Sequence, residues 1–332
     1  MGEIETEIDH SILQCIDLIL AHKKEFVYDF LKKKDYPTSG TKEVQRERLR
    51  KLVATGEINK LDLLTVLDEC ERFGNQHIYL FRIAEPNLVK LRNSAYVKKV
   101  FKEIGLDRVY NAQTPCVIPE KSQVISITHN KDWLNICWAT KKVTLELRST
   151  KRVHRSNREF CIKEYLITKF RDLVIFRVYL VSGDAELMIH QLPRGSRYDE
   201  EKEPYLKQLD DWFKFGILTN IGLQAAIKKL ENSDKVRVRN LGFRTDMGSQ
   251  IEFVSASIDQ GIYEDPDARN ARKNIRSGLG NATNCYWLTS KSQNVLIQEL
   301  RTRIYADRIA FTRQCRQEEV DYVLAGLRNS LD

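Results

Sequence analysis

Basic side chains surround one short turn near the start of the sequence. Residues 31–42 read Leu-Lys-Lys-Lys-Asp-Tyr-Pro-Thr-Ser-Gly-Thr-Lys, which predicts a lysine-rich helix that ends at a turn. A second basic helix is predicted from about Glu43 to Val53. A helix N-terminus has free N–H groups and a partial positive charge, and both favour a bound phosphate. The candidate contacts around this turn are Lys33, Lys34, Gly40, Thr41, Lys42, Arg46 and Arg50. Because most of them are cations, we predict that the phosphate belongs to a nucleic acid.

The overall composition favours an acidic partner. The chain has 332 residues and a net charge of +8, with a pI near 9.0, as is typical of proteins that bind polyanions. Its seven cysteines show no CxxC spacing, so we expect no zinc site. The acidic N-terminus is unlike a signal peptide, and no apolar run approaches the ~20 residues of a membrane span. We therefore expect an intracellular protein that is not secreted and has no membrane partner. It would be either nuclear or, in a bacterium, cytoplasmic and associated with the nucleoid.

The hydrophobic pattern changes along the chain and predicts an α+β fold. Up to residue 73 the apolar residues recur at helical spacing, residues 77–83 read as a strand, and residues 88–104 read as one helix. Between residues 109 and 191 the period is two, as in strands. We predict a helical N-terminal domain over 1–84 and a connector helix over 85–108. A larger domain over 109–332 would then contain a mostly antiparallel sheet with flanking helices.

The basic turn resembles the SAP motif, a DNA-binding element built from two helices. Tyr36-Pro37-Thr38-Ser39-Gly40-Thr41-Lys42 is similar to the turn that the family writes Leu-Pro-x-x-Gly-Thr-Lys. The resemblance covers residues 22–53. It implies that Gly40 lets the backbone approach a phosphate, and that the Thr41 hydroxyl and the Lys42 ammonium contact it. Such contacts position a protein on DNA without reading its sequence.

A second interpretation of the same turn involves no ligand. Gln45 and Arg46 stand where SAP motifs usually place hydrophobic residues, and the segment Ser-Gly-Thr-Lys-Glu also reads as an ordinary helix start. Thr41 would then be the N-cap of a basic, solvated helix. On that hypothesis the two helices form a capped pair without a role in DNA binding.

A second group of basic residues lies between two predicted strands. Its members are Arg148, Lys151, Arg152, His154, Arg155 and Arg158. We expect this group to form a loop at the rim of the sheet, where Lys151, Arg152 and Arg155 would make a second phosphate contact. A loop that is only solvated is the alternative.

The order of the domains resembles another family. A strand with the pattern Trp133-x-x-Ile136-x-Trp138-x-Thr140 follows the helical segment at about one third of the chain. This layout is similar to the centromere protein N (Chl4-like) family, whose helical domain precedes a β-rich domain and which recognises chromatin. The resemblance implies a nucleoprotein surface as the partner. A buried, Trp-rich core strand is the alternative explanation of the same residues.

The main enzymatic alternative is a metal-dependent nuclease. Such enzymes hold a divalent ion with paired carboxylates, commonly beside a lysine. Asp132 and Glu146 imitate this arrangement, but the neighbouring basic residue is Arg148, which stays protonated and cannot act as a base. A second acidic set consists of Asp246, Glu252 and Asp259. No pattern of a catalytic triad, a P-loop or a zinc protease is present.

These observations together predict a non-catalytic protein without a cofactor or metal. Its partner would be double-stranded DNA or nucleoprotein, bound mainly through phosphates. The β-rich domain would provide a scaffold, a site for a protein partner or a self-association surface. An interaction adaptor that binds chromatin or an acidic protein is the first alternative, and a nuclease is the second.

Overall fold

The computed structural model describes most of the chain. The described residues are 9–22, 24–155, 158–192, 195–216, 218, 220–231, 233–245, 247–257, 259–274, 279–289, 295–296 and 298–331. Within these ranges the chain forms ten α-helices and one antiparallel sheet of ten strands. The predicted α+β class is confirmed.

The helices begin at the start of the chain and also flank the sheet. They are α1 (His10–Ala21), α2 (Lys24–Lys33), α3 (Lys42–Ala54), α4 (Lys60–Arg72), α5 (Glu85–Arg92), α6 (Ser94–Glu103), α7 (Tyr198–Phe213), α8 (Gln224–Leu230), α9 (Pro266–Asn274) and α10 (Gln317–Arg328), with 3-10 turns at Asp107–Val109 and Ile262–Glu264. Side chains cap several of them. Asp9 accepts a hydrogen bond from the Ser11 N–H at the start of α1. Asn59 and Asp62 exchange two hydrogen bonds at the start of α4. Such caps satisfy N–H groups that have no partner within the helix.

The strands pair in an order that differs from their order in the sequence. They are β1 (Gly74–Arg82), β2 (Gln123–His129), β3 (Trp133–Arg155), β4 (Arg158–Tyr179), β5 (Asp184–His190), β6 (Val236–Arg244), β7 (Gln250–Val254), β8 (Leu279–Trp287), β9 (Leu300–Tyr305) and β10 (Ile309–Gln314). The order across the sheet is β2-β3-β4-β5-β1-β10-β9-β8-β6-β7. The first strand in sequence is therefore central, with β5 on one side and β10 on the other.

The chain divides into two compact units. The first unit consists of Met1–Glu71, Ala112–Ser126 and Cys137–Leu173, and the second consists of Arg72–Asn111, Ile127–Ile136 and Val174–Asp332. The first unit thus contains helices α1–α4, and most of β3 and β4 belongs to it.

The core of the first unit joins the helices to later parts of the chain. Its buried residues come mainly from α1, α3 and α4, and Cys116 packs with them. Phe170 of β4 is partly buried against the same cluster. Glu71 and Arg171 form a buried ion pair, with Arg171 Nε at 2.8 Å and 2.7 Å from the two carboxylate oxygens. A further hydrogen bond from Arg171 Nη1 to the carbonyl oxygen of Pro115 measures 2.5 Å.

Two predicted elements differ from the structure. The single helix predicted over residues 88–104 is two helices, because Asn93 ends α5 and caps α6 with hydrogen bonds from the N–H groups of Ala95 and Tyr96. The segment expected to be a basic loop is instead the outer part of two long strands, since β3 continues to Arg155 and β4 begins at Arg158. The side chains of these residues point alternately to the two faces of a strand. Charged side chains are compatible with this position because both faces are open to solvent.

These two strands are antiparallel neighbours in the sheet, and we call their outer part, residues 143–155 and 158–167, the ribbon. The residues 143–148 and 159–167 are all exposed. On β4, the pairing with β5 runs from Val174 to Val178, which lies beyond the ribbon. A two-stranded hairpin has little core of its own, so the ribbon must keep its order through the longer strands of which it is a part.

Candidate nucleic-acid interface

The turn between α2 and α3 is fixed by side chains of α3. Gln45, which is only 2% exposed, donates from Nε2 to the carbonyl oxygens of Thr38 at 2.7 Å and Ser39 at 3.0 Å. Arg48 Nη1 donates to the carbonyl oxygens of Pro37 at 2.7 Å and Ser39 at 3.0 Å. These hydrogen bonds pair the carbonyl oxygens of the turn, which would otherwise repel an anion. The polar residue at position 45, which departs from the SAP pattern, is therefore part of how this turn is held.

Gly40 is required by the backbone of the turn. Its φ of +123° lies in a region that residues with a side chain rarely adopt. A Cβ at this position would also lie 2.6 Å from Cγ1 of Val44. The close approach to a phosphate that the SAP resemblance implies stays a prediction, but the glycine already has a structural reason.

Thr41 is the N-cap of α3. Its hydroxyl oxygen accepts a hydrogen bond from the Val44 N–H at 3.4 Å, and its carbonyl oxygen accepts one from the Gln45 N–H at 3.0 Å. The capped helix start that we considered for this segment is therefore present. It does not decide between the two interpretations, because a capped N-terminus is also the arrangement that binds phosphates.

A cleft lies beside this turn and brings together basic and polar side chains. Its volume is about 200 Å³, several times the ~30 Å³ that one water occupies in the liquid. The lining residues are Leu20, His22, Lys24, Val27, Tyr28, Gly40, Thr41, Lys42 and Gln45. The Tyr28 hydroxyl donates to the carbonyl oxygen of Gly40 at 3.4 Å. The ammonium group of Lys24 lies 5.6 Å from the centre of the Tyr28 ring.

The electrostatics of the cleft favour an anion. Lys24 and Lys42 are both exposed, and no ion pair within the described residues joins either ammonium to a carboxylate. Tyr28 and Thr41 each contribute a hydroxyl group to the wall of the cleft. A cleft with two cations and two hydroxyl groups is chemically suited to phosphate oxygens.

One carboxylate competes for the same donors. The pKa of Glu43 is lowered because its carboxylate accepts a hydrogen bond from its own backbone N–H and another from the Thr41 hydroxyl. The positive charges of Arg46 and Lys42 lower this pKa further. These are groups that a phosphate at the helix N-terminus would use. Because Glu43 is exposed, its side chain is free to rotate away when a phosphate binds.

Three of the other predicted phosphate contacts form ion pairs with carboxylates of this protein. Lys34 Nζ lies 2.9 Å from Asp62 of α4, and this contact lowers the pKa of Asp62. Arg46 Nη2 lies 2.8 Å from Asp17 of α1. Arg50 lies 3.1 Å from Glu47, one helical turn earlier. Lys33 is exposed in the last turn of α2. None of Lys33, Lys34, Arg46 and Arg50 lines the cleft.

The second predicted contact lies on the ribbon. Lys151 Nζ lies 3.4 Å from a carboxylate oxygen of Glu164, and Arg152 Nη1 lies 3.6 Å from one of Glu159. All four side chains are exposed by about half or more. Exposed ion pairs of this kind are weak and exchange readily with another anion. Arg155 belongs to β3, but its side chain lies outside the described residues.

None of the described acidic groups considered for a nuclease belongs to a cluster of three or more possible metal ligands. No group of three or more His, Cys, Asp or Glu side chains capable of holding a metal occurs among the described residues. Glu146 lies 3.3 Å from Arg148 in an exposed ion pair. Asp246, from the second acidic set, lies outside the described residues.

Among the described helices, none is both long and apolar enough to cross a bilayer.

Several residues that line the cleft were not among the predicted contacts. His22, Lys24 and Tyr28 line it together with the predicted residues Gly40, Thr41 and Lys42. Their signal was weak because a basic residue and a tyrosine on an amphipathic helix are common. Spacing gives some indication, because Lys24 and Tyr28 are four residues apart and therefore share one face of α2.

No family model matches the chain, and no curated protein matches it at a significant level.

Proposed function

We propose that this protein binds double-stranded DNA or nucleoprotein without catalysis, mainly through the phosphate backbone. The observation that carries the proposal is the cleft beside the α2–α3 turn, where Lys24 and Lys42 converge with two hydroxyl groups. The net charge of +8 adds long-range attraction to a polyanion.

The primary contact is made by the cleft and the N-terminus of α3. Lys24 and Lys42 neutralise a phosphate, while the Thr41 hydroxyl and the Glu43 N–H donate hydrogen bonds to its oxygens once the Glu43 carboxylate has turned away from them. Lys33, Arg46 and Arg50 extend the basic surface along α2 and α3, although Arg46 must exchange its contact with Asp17. Lys34 contributes charge rather than a direct contact because it is paired with Asp62.

The ribbon makes the secondary contact through Lys151, Arg152 and Arg155. Two strands are an established way to present basic side chains to a DNA groove. The ion pairs of Lys151 and Arg152 with Glu164 and Glu159 would exchange for phosphates. Because such contacts carry no base recognition, we expect little dependence on DNA sequence.

A salt titration with matched variants tests the proposal. Fluorescence anisotropy on plain duplex should give a log–log slope against salt of about −5, as expected for about six phosphate contacts. Lys24→Glu with Lys42→Glu should weaken binding and bring the slope to about −3, because two contacts are lost. Lys90→Glu with Lys98→Glu is the control: these two exposed lysines lie on α5 and α6 and give the same change of net charge.

Three results would contradict the proposal. Equal losses in the two double variants would mean that only net charge matters and that the cleft has no specific role. A partner that stays bound after nuclease treatment, with no binding to free DNA, would favour an interaction adaptor. Plasmid cleavage with Mg²⁺ or Mn²⁺ that is lost in Glu146→Ala or Asp132→Ala would favour a nuclease.

A further inference from the structure

The ribbon has one mostly apolar face and one mixed face. Side chains of a strand alternate between the two sides, so residues of the same parity share a face. On β3, Val143, Leu145 and Leu147 share the face of Ser149 and Lys151. On β4, Phe160, Ile162 and Leu166 share the face of Glu164.

Contacts between the strands show that these two sets lie on the same side. Ser149 Oγ donates to Glu164 at 2.5 Å, and Lys151 Nζ lies 3.4 Å from the same carboxylate. The opposite side is joined by Arg152 and Glu159 at 3.6 Å. We call the first set the apolar stripe. Its members are Val143, Leu145, Leu147, Phe160, Ile162 and Leu166.

The apolar stripe is exposed along its whole length. The six side chains are between 41% (Leu166) and 61% (Leu145) exposed. These fractions correspond to roughly 500 Å² of apolar surface, which is at the upper end for a patch on a monomer. The opposite face is mixed. It carries Glu146, Arg148, Arg152, Glu159, Cys161, Lys163, Tyr165 and Ile167.

We infer that the apolar stripe is a self-association surface, on which the ribbon of a second copy of this chain packs face to face. Two stripes pressed together bury about 1,000 Å², which reaches the lower limit for a specific interface. A two-fold axis places the same patch on both copies, so the contact closes as a dimer. The base of one ribbon then lies over the tip of the other, and the result is a small two-layered sandwich with an apolar interior.

The charges on the stripe are compatible with this packing. Lys151 and Glu164 neutralise each other within one ribbon, so neither copy brings an unpaired charge to the interface. The cations Arg148, Arg152 and Lys163 remain on the outer faces of the sandwich. DNA is unsuited to the stripe because a polyanion gains nothing from covering apolar side chains. In the dimer DNA can still bind Arg152 on the outer face, whereas Lys151, which lies on the stripe side beside Glu164, is available to a phosphate only in the monomer.

Sedimentation velocity of the full chain tests the inference. The wild type, in a reducing buffer and from about 1 to about 100 µM, should show a concentration-dependent shift from monomer to dimer. Leu145→Glu should weaken dimerisation at least ~100-fold, because it buries an unpaired charge in the interface. Leu61→Glu is the matched control, since Leu61 is 62% exposed on α4 against 61% for Leu145. This control should dimerise like the wild type.

A milder variant excludes misfolding as the cause. Ile162→Thr keeps a β-branched residue in the strand and should weaken dimerisation about tenfold with an unchanged circular dichroism spectrum. A wild type that stays monomeric over the whole range would overturn the inference, as would equal effects of Leu145→Glu and Leu61→Glu. Flotation of a monomeric wild type with phosphatidylserine–phosphatidylcholine vesicles, abolished by Leu145→Glu, would overturn it in favour of a membrane surface.

Discussion

Glu71→Gln tests how the first unit is held together. The Glu71 and Arg171 side chains are 0% and 3% exposed, and the guanidinium contacts both carboxylate oxygens. The substitution keeps the shape of the side chain but leaves the cation of Arg171 buried without a counter-charge. Removing one partner of a buried pair typically costs 3–5 kcal/mol, so we expect the free energy of unfolding to fall by about 4 kcal/mol. That is a large share of the ~5–15 kcal/mol of a typical protein.

Urea unfolding followed by far-UV circular dichroism measures this change. Glu47→Gln is the control, because it breaks the exposed pair with Arg50 and should cost less than ~1 kcal/mol. Replacing both Glu71 and Arg171 with Met should be much less harmful than Glu71→Gln alone, because no unpaired charge remains buried. If Glu71→Gln costs less than ~1 kcal/mol, or if the double variant is the less stable of the two, an unpaired Arg171 cation is not what destabilises the first unit.

Four other predictions follow from the same structure. Burial raises the pKa of Glu71, but the charge of Arg171 and the hydrogen bonds from His22 and Arg171 together hold this pKa below 4.5. The pair should therefore stabilise fully above about pH 5 and less as pH falls below 4.5, and acid unfolding of Glu71→Gln should lack this loss. Gly40→Ala should cost ~1–3 kcal/mol in thermal unfolding because of the positive φ and the contact with Val44. Glu43→Gln should tighten duplex binding about two- to fivefold at low salt, in anisotropy titrations, because it removes the competing carboxylate. Burial, with the nearby charge of Arg308, lowers the pKa of His77 to about 4, so its stabilising effect is full above pH 6.5 and is lost towards pH 4; its NMR signals should stay those of a neutral ring down to pH 5.

The local structure of helices α3 and α4 was largely predictable from the sequence. The predicted helix over residues 60–72 has the observed bounds of α4, and the predicted start near Glu43 is one residue from that of α3. Glycine at a positive φ and threonine at an N-cap are short-range effects that a few neighbouring residues determine. The α+β class followed from the change of hydrophobic period, which the burial of the elements explains.

Side-chain directions were not predictable in the same way. Lys34 was expected to contact a phosphate, but its ammonium contacts Asp62, which is 28 residues away in the sequence. Arg46 likewise contacts Asp17 of another helix. Such pairings depend on how the helices pack, and a sequence pattern records only which residues share a face.

The outer end of the ribbon, beyond Arg148, was missed because residues 148–155 do not follow the usual strand pattern. A strand with one face on a core alternates clearly between apolar and polar residues, whereas residues 148–155 are mostly polar and basic on both sides. Loops have the same composition, so periodicity could not distinguish them. Strand order across the ten-stranded sheet was equally inaccessible, since it depends on contacts between distant segments.

One thiol makes the ribbon accessible to spectroscopy without mutagenesis. The seven cysteines all belong to the described residues, and Cys161 alone is exposed while the other six are buried. A maleimide dye or nitroxide should therefore react there first, because buried thiols are protected. The parity of β4 places Cys161 on the face away from the apolar stripe, so the label leaves that stripe uncovered. Pulsed electron–electron double resonance between the nitroxides of two copies would then measure the distance between their ribbons.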